Sequence, residues 1–115
     1  MKYLYLLYAD EAKMPAPGSS AFDAQNDAYN KYYEELSGKG HFKSGDPVMP
    51  SRTGKTVRVR SGATKADAGP FAHAGDQVIG FYVIEAKDID EAVAAAAQCP
   101  AASVGAVEVR PIVEM

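Results

Sequence analysis

A chain of 115 residues has the length of one domain, residues 1–115, and can bury roughly 65% of its unfolded surface without disulfide or metal staples. Twelve basic against fifteen acidic residues leave a net charge of -3 and no broad electropositive field, so no nucleic-acid partner is expected. The single cysteine, Cys99, excludes an internal disulfide and fits a reducing compartment, the cytoplasm.

Residues 3–8 form a continuous run of tyrosine and leucine, too short and too tyrosine-rich for a signal or a membrane span, so no membrane association is expected. The run reads as a first strand packed on both faces or nearly so. Pro15, Pro17, Gly18, Ser19 and Ser20 mark a loop, and Phe22, Tyr29, Tyr32, Tyr33 and Leu36 recur at helical spacing, which predicts a helix over residues 21–37 starting near Ser20. Gly38 and Gly40 end it. Residues 41–48 predict a strand whose Pro47 confines it to an edge or a bulge.

Residues 56–60 alternate polar and apolar side chains, Ser61-Gly62 breaks them, and the following residues can return as a short hairpin before Gly69-Pro70. The arginines and lysine of the cluster from Arg52 to Arg60 then read as the wet face of a half-buried strand. Residues 78–84, rich in β-branched and aromatic side chains, give the clearest strand of the chain. Asp88 three residues before Glu91 makes a capping box for a second helix carrying Ile89, Val93 and the alanines up to Ala97, which Pro100 should stop. Alternation over residues 104–109, ended by Pro111, predicts the last strand. The order predicts an α+β fold, a ferredoxin-like βαββαβ unit with an extra short hairpin. Both helices should lie on one face of the sheet, leaving an apolar face open, and a second copy is the simplest cover for it.

Gly69-Pro70-Phe71-Ala72, followed by Gln77, Gly80, Phe81 and Tyr82, resembles the signature of the DGPF group of YCII-related proteins. The likeness extends to Met1-Lys2-Tyr3, Tyr8-Ala9-Asp10-Glu11, Ser44-Gly45-Asp46-Pro47, Thr56-Val57-Arg58, Asp88-Ile89-Asp90-Glu91-Ala92 and Val107-Glu108-Val109-Arg110-Pro111, and so covers nearly the whole chain. It implies a homodimer, a dimeric α/β barrel in which two sheets face one another across a two-fold axis. It also implies relatives that are lyases, isomerases or monooxygenases of small ring compounds, and a sigma factor as a regulatory partner. The chain departs from the pattern at Ala68, where the group has its aspartate, with Asp67 one residue earlier. It also lacks the helix histidine of the YCII branch, while Asp46 stands where that branch has a catalytic aspartate.

The best polar cluster is His73 with Asp67 or Asp76 and Gln77, since an imidazole beside a carboxylate is held in one tautomer and takes a proton near neutral pH. His73, Asp67 and Asp46 are the candidate catalytic residues. Phe71, Tyr82 and Tyr5 are candidate apolar walls of a cleft, with Arg52 or Arg58 positioning an anion, Arg52 the better placed because it lies outside the regular alternation, and Gln77 adding a polar contact. His41, at a helix-to-strand turn, reads as structural, and Cys99 as a small packed hydrophobe. No cofactor is expected, because the chain has no phosphate-binding glycine loop, no Gly-x-Ser-x-Gly elbow and no Cys-x-x-Cys pair; no metal site is expected either. Two functions remain open: a cofactor-independent small-molecule lyase, isomerase or binder, and a non-enzymatic regulatory module for a protein partner.

Overall fold

A computed structural model describes residues 1–114. Strand β1 (Lys2–Ala9) enters helix α1 (Ser20–Gly38) through a loop with one 3₁₀ turn, Glu11–Lys13. Ser19 caps α1 by accepting the amide of Phe22, as a serine in extended backbone does when it replaces a missing helical acceptor. Strand β2 (Phe42–Pro47) and a second 3₁₀ turn, Ser51–Thr53, precede a hairpin of β3 (Lys55–Arg60) and β4 (Ala63–Ala68). Strand β5 (Gln77–Glu85), helix α2 (Ile89–Ala96), helix α3 (Pro100–Val104) and strand β6 (Ala106–Pro111) complete the chain.

The main sheet is antiparallel throughout, in the order β2-β5-β1-β6, which is the strand order of the ferredoxin-like unit. The expected α+β fold with an extra hairpin is what the chain adopts. Pro47 lies on an edge strand, and a register shift between Phe42 and Ser44 makes that strand irregular. One expectation needs correcting: Pro100 does not stop the second helix but opens a third. Helix α2 has already ended at Ala97, and proline at the first turn of α3 gives up only an amide that has no helical acceptor.

Alternation along β1 decides the two faces of the sheet. Tyr3, Tyr5, Leu7 and Ala9 are buried against the helices with Tyr32, Leu36, Ile84, Ala92, Ala96, Cys99 and Ala101. The alanines of α2 let that helix approach the tyrosines of β1 closely. The Tyr5 hydroxyl donates to the Ala92 carbonyl, and the Tyr32 hydroxyl donates to the Ala95 carbonyl at 2.8 Å, in the last turn of α2, where carbonyls run short of helical donors. Tyr32, Tyr82 and Phe42 extend the core as edge-to-face aromatic contacts. Gly105 makes the return to β6 possible, because a Cβ there would sit 1.9 Å from the Tyr8 carbonyl oxygen.

Register places Leu4, Leu6 and Tyr8 of β1 and Val78, Phe81 and Val83 of β5 on the opposite face, which no helix of the subunit covers. Ser44 and Asp46 border this apolar strip on β2, and Glu108 and Arg110 border it on β6. There Glu108 accepts the Tyr8 hydroxyl at 3.2 Å and pairs with Arg110. Among the described residues, no helix is long and apolar enough to cross a membrane.

Candidate functional site

A cleft of about 460 Å³ opens at the end of the sheet where β1 leaves and β5 enters. Its lining comes from three stretches: Asp10 and Glu11 after β1, Ser51 and Arg52 on the second 3₁₀ turn, and the segment from Ala68 to Gln77. Each stretch is held by local chemistry. Asp10 caps its own turn through the Ala12 amide at 3.0 Å. The two turns are tied together by Glu11, whose carboxylate accepts both the Ser51 hydroxyl and, at 2.7 Å, the Ser51 amide. Those bonds from Ser51, with a smaller contribution from the Arg52 guanidinium, hold the Glu11 carboxyl below its ordinary 4.5 and keep it ionised.

The third wall begins at Gly69, whose φ of 95° only glycine adopts without strain and whose amide donates to the Gly54 carbonyl at 2.8 Å. Thr56 adds a bond from its hydroxyl to the Gly69 carbonyl at 3.0 Å. The Gln77 side-chain amide donates to the Ala72 carbonyl at 2.9 Å and folds the loop back on itself, which leaves the Gln77 side-chain oxygen free to accept. His73 is exposed on this loop and lines the cleft, as does Arg52 from the opposite turn.

The cleft thus gathers three of the residues singled out in the sequence, His73, Arg52 and Gln77, and adds Asp10, Glu11 and Ser51, which the sequence reading had not assigned a role. The others lie elsewhere. Asp67 sits on the hairpin, paired with Arg58 at 3.5 Å and Lys65 at 3.9 Å. Asp46 is exposed on the open face of the sheet, opposite Phe81. Phe71 is 75% exposed, with the Arg58 guanidinium 5.3 Å above its ring. Tyr5 is fully buried, and its neutral phenol is pushed up to about 12 by burial; Tyr82, half-buried in the aromatic cluster, is pushed up to about 12 for the same reason. Both face the helices, and neither lines this cleft. His41 is structural, its Nδ1 donating to the Glu85 carbonyl at 2.8 Å, and burial pushes the Cys99 thiol up to about 11, which makes it a poor nucleophile. Among the described residues, no three His, Cys, Asp or Glu side chains converge as metal ligands.

The signal that could have found Asp10 and Glu11 was the acidic pair directly after the first strand, which a sheet end exposes to its neighbouring loops. Ser51 carries no such signal, because only the fold brings it to Glu11.

Comparison with known proteins agrees over the whole length. The family model of the YCII-related domain matches residues 1–115. An uncharacterised protein of Rhizobium meliloti (strain 1021) is similar at 31% identity over 122 aligned residues, covering 97% of this chain and 92% of that protein. With its ferredoxin-like sheet and this end-to-end match, the chain belongs to the YCII-related domain family.

Proposed function

We propose that the protein works as a homodimer in the cytoplasm that binds a small anionic molecule in the cleft and moves a proton on it through His73, the chemistry of a lyase or isomerase that draws only on the chain's own side chains. The observation that carries this reading is the convergence of Arg52, from the second 3₁₀ turn, with His73 and Gln77, from the segment that leads into β5, on one concavity, with its walls fixed by Glu11 and Gly69. Arg52 offers a planar set of donors that fits a carboxylate in two-point contact. His73 takes the proton from a carbon next to a ligand carbonyl and the electron pair moves into that carbonyl; as the carbonyl re-forms, the imidazolium gives the proton either to the far carbon of a conjugated double bond, which isomerises the ligand, or to a leaving group that departs from the β carbon with its bonding pair, which leaves a new carbon–carbon double bond. Electrons and atoms balance without an external oxidant or reductant. Glu11 acts as a positioning residue, since both its oxygens are engaged by Ser51 and joining the two turns orients Arg52. The homodimer is supported by the strip of Leu4, Leu6, Val78, Phe81 and Val83, a sheet face that alternation would have made polar had water been its solvent.

The test is hydrogen–deuterium exchange into a panel of 2-oxo and cyclic carboxylates, followed by proton NMR in heavy water. Exchange at least tenfold above background with the wild-type protein, lost in His73→Ala and weakened through KM in Arg52→Ala, is the expected result. No exchange across the panel, together with no movement of the His73 ring signals at millimolar ligand, would overturn it. A second reading, a regulatory module for a protein such as a sigma factor, is favoured by the exposure of Val57, Val59 and Phe71. It predicts that these side chains become protected from exchange when that protein is added, while the cleft stays empty.

A further inference from the structure

The β3–β4 hairpin stands apart from the body of its own subunit. Its strands pair only with each other across the two-residue turn Ser61-Gly62, where φ is positive at both positions. None of its residues is buried. It gives the chain a flat, extended outline of 47 × 43 × 19 Å and a radius of gyration of 15.9 Å, against about 13 Å for a compact chain of this length. A lone two-stranded hairpin is marginal in water, and register puts Val57 and Val59 on one face with Ala66, exposed by 61% and 56% for the two valines. The hairpin is also oppositely charged to the rest of the chain. Lys55, Arg58, Arg60 and Lys65 against Asp67 give it +3, and the eight basic and fourteen acidic residues elsewhere give the body -6, which together make the -3 of the whole.

From these observations we infer that the hairpin is an intersubunit arm whose Val57, Val59 and Ala66 face docks on the acidic body of a second copy of this chain. The inference rests on the homodimer proposed above and adds what the second copy does for the site. The root of the arm is a wall of the cleft: Ala68, Gly69 and Pro70 line it directly, and the Gly54–Gly69 and Thr56–Gly69 bonds join the two strands at that point. Seating the arm therefore fixes the loop that carries His73. Register puts Arg58, Arg60 and Lys65 on the face opposite the valines, so charge attraction between arm and body acts at longer range, steering the two copies together and weakening as salt screens it, whereas the valines supply the contact that salt does not remove.

The experiment is sedimentation equilibrium and amide hydrogen exchange on the full chain, wild type against Val57→Asp with Val59→Asp. Expected are a wild-type dimer, a dimer dissociation constant raised at least tenfold in the double variant, faster exchange over residues 55–73, and unchanged near-ultraviolet dichroism from the buried tyrosines. Raising the salt concentration should weaken the wild-type dimer several-fold, and Arg60→Glu with Lys65→Glu should remove that salt dependence. A wild-type dimer with the same dissociation constant and the same exchange in the double variant would overturn the arm and leave the dimer standing. A wild-type monomer at 0.1 mM, a concentration on the order of that at which a stable homodimer is fully formed, would overturn both. Should the double variant lose its tyrosine dichroism, Val57→Thr with Val59→Thr, close in shape, carries the same test with the same two outcomes.

Discussion

β1 and β3 both point successive side chains to opposite faces, yet they meet opposite environments. In β1 every second residue from Tyr3 to Ala9 is buried beneath helices. In β3 Val57 and Val59 alternate just as regularly with Thr56, Arg58 and Arg60, and both valines are exposed. Alternation assigns side chains to faces, and it is silent on what covers a face. The body of the molecule is held by its own helices, while the hairpin and the cleft at its root are held within the subunit by a few hydrogen bonds.

The largest effect that would break this contrast is in the body. Gly105→Ala pushes a Cβ to 1.9 Å from the Tyr8 carbonyl oxygen, against backbone that cannot yield, so a loss of about 3 kcal/mol or more is expected in denaturant unfolding, or no folded protein at all. A Tm within a few degrees of wild type would mean that α3 and β6 can part cheaply.

Raising the pH should act on the body next, and less strongly. Burial raises the phenols of Tyr5 and Tyr82 from the ordinary 10 to about 12, and those of Tyr29 and Tyr32 further, because the fold accepts only their neutral forms. The stability tied to this is complete below pH 10 and is lost as pH climbs from 10 through 12. Tyrosinate absorbance should therefore lag behind that of the unfolded chain and rise together with the loss of near-ultraviolet dichroism. Smooth titration of all seven tyrosines near pH 10 would show the core to be open.

The smallest effect belongs to the cleft. Glu11 has its carboxyl held below 4.5 by the Ser51 hydroxyl first and the Ser51 amide second, so the tie between the two turns is complete above pH 4.5 and is lost as pH falls through the lower value. Exchange of the Ser51 amide should speed up over that range while amides of β1 and β5 stay protected, and Glu11→Gln should abolish the pH dependence without moving the global Tm. Equal loss of protection in the body would mean that cleft and body unfold as one unit.

Much of the fold could be read from local chemistry. Ser19 and Asp88 cap the helices as their positions suggested, Pro47 marks an edge, and the Ser61-Gly62 turn sends β3 back on itself. Pro100 misled because proline stops one helix and starts another with equal ease, and only the earlier end of α2 at Ala97 decides between them. The site was legible in part. His73, Arg52 and Gln77 stood out as polar groups, whereas Tyr5 and Tyr82 look from sequence like ring-binding side chains and are packing residues whose faces the sheet turns toward α1 and α2.

The sequence by itself determined the elements, their caps and turns, and which side chains share a face, because those depend on neighbours within about four residues along the chain. Tertiary structure alone decided that Glu11 meets Ser51 across 40 positions, that Asp67 pairs with Arg58 and Lys65 on the hairpin while His73 lines the cleft, and that the valines of β3 face outward. Contacts of that kind depend on how elements are stacked in space, and the pattern of residues within an element does not contain that distance.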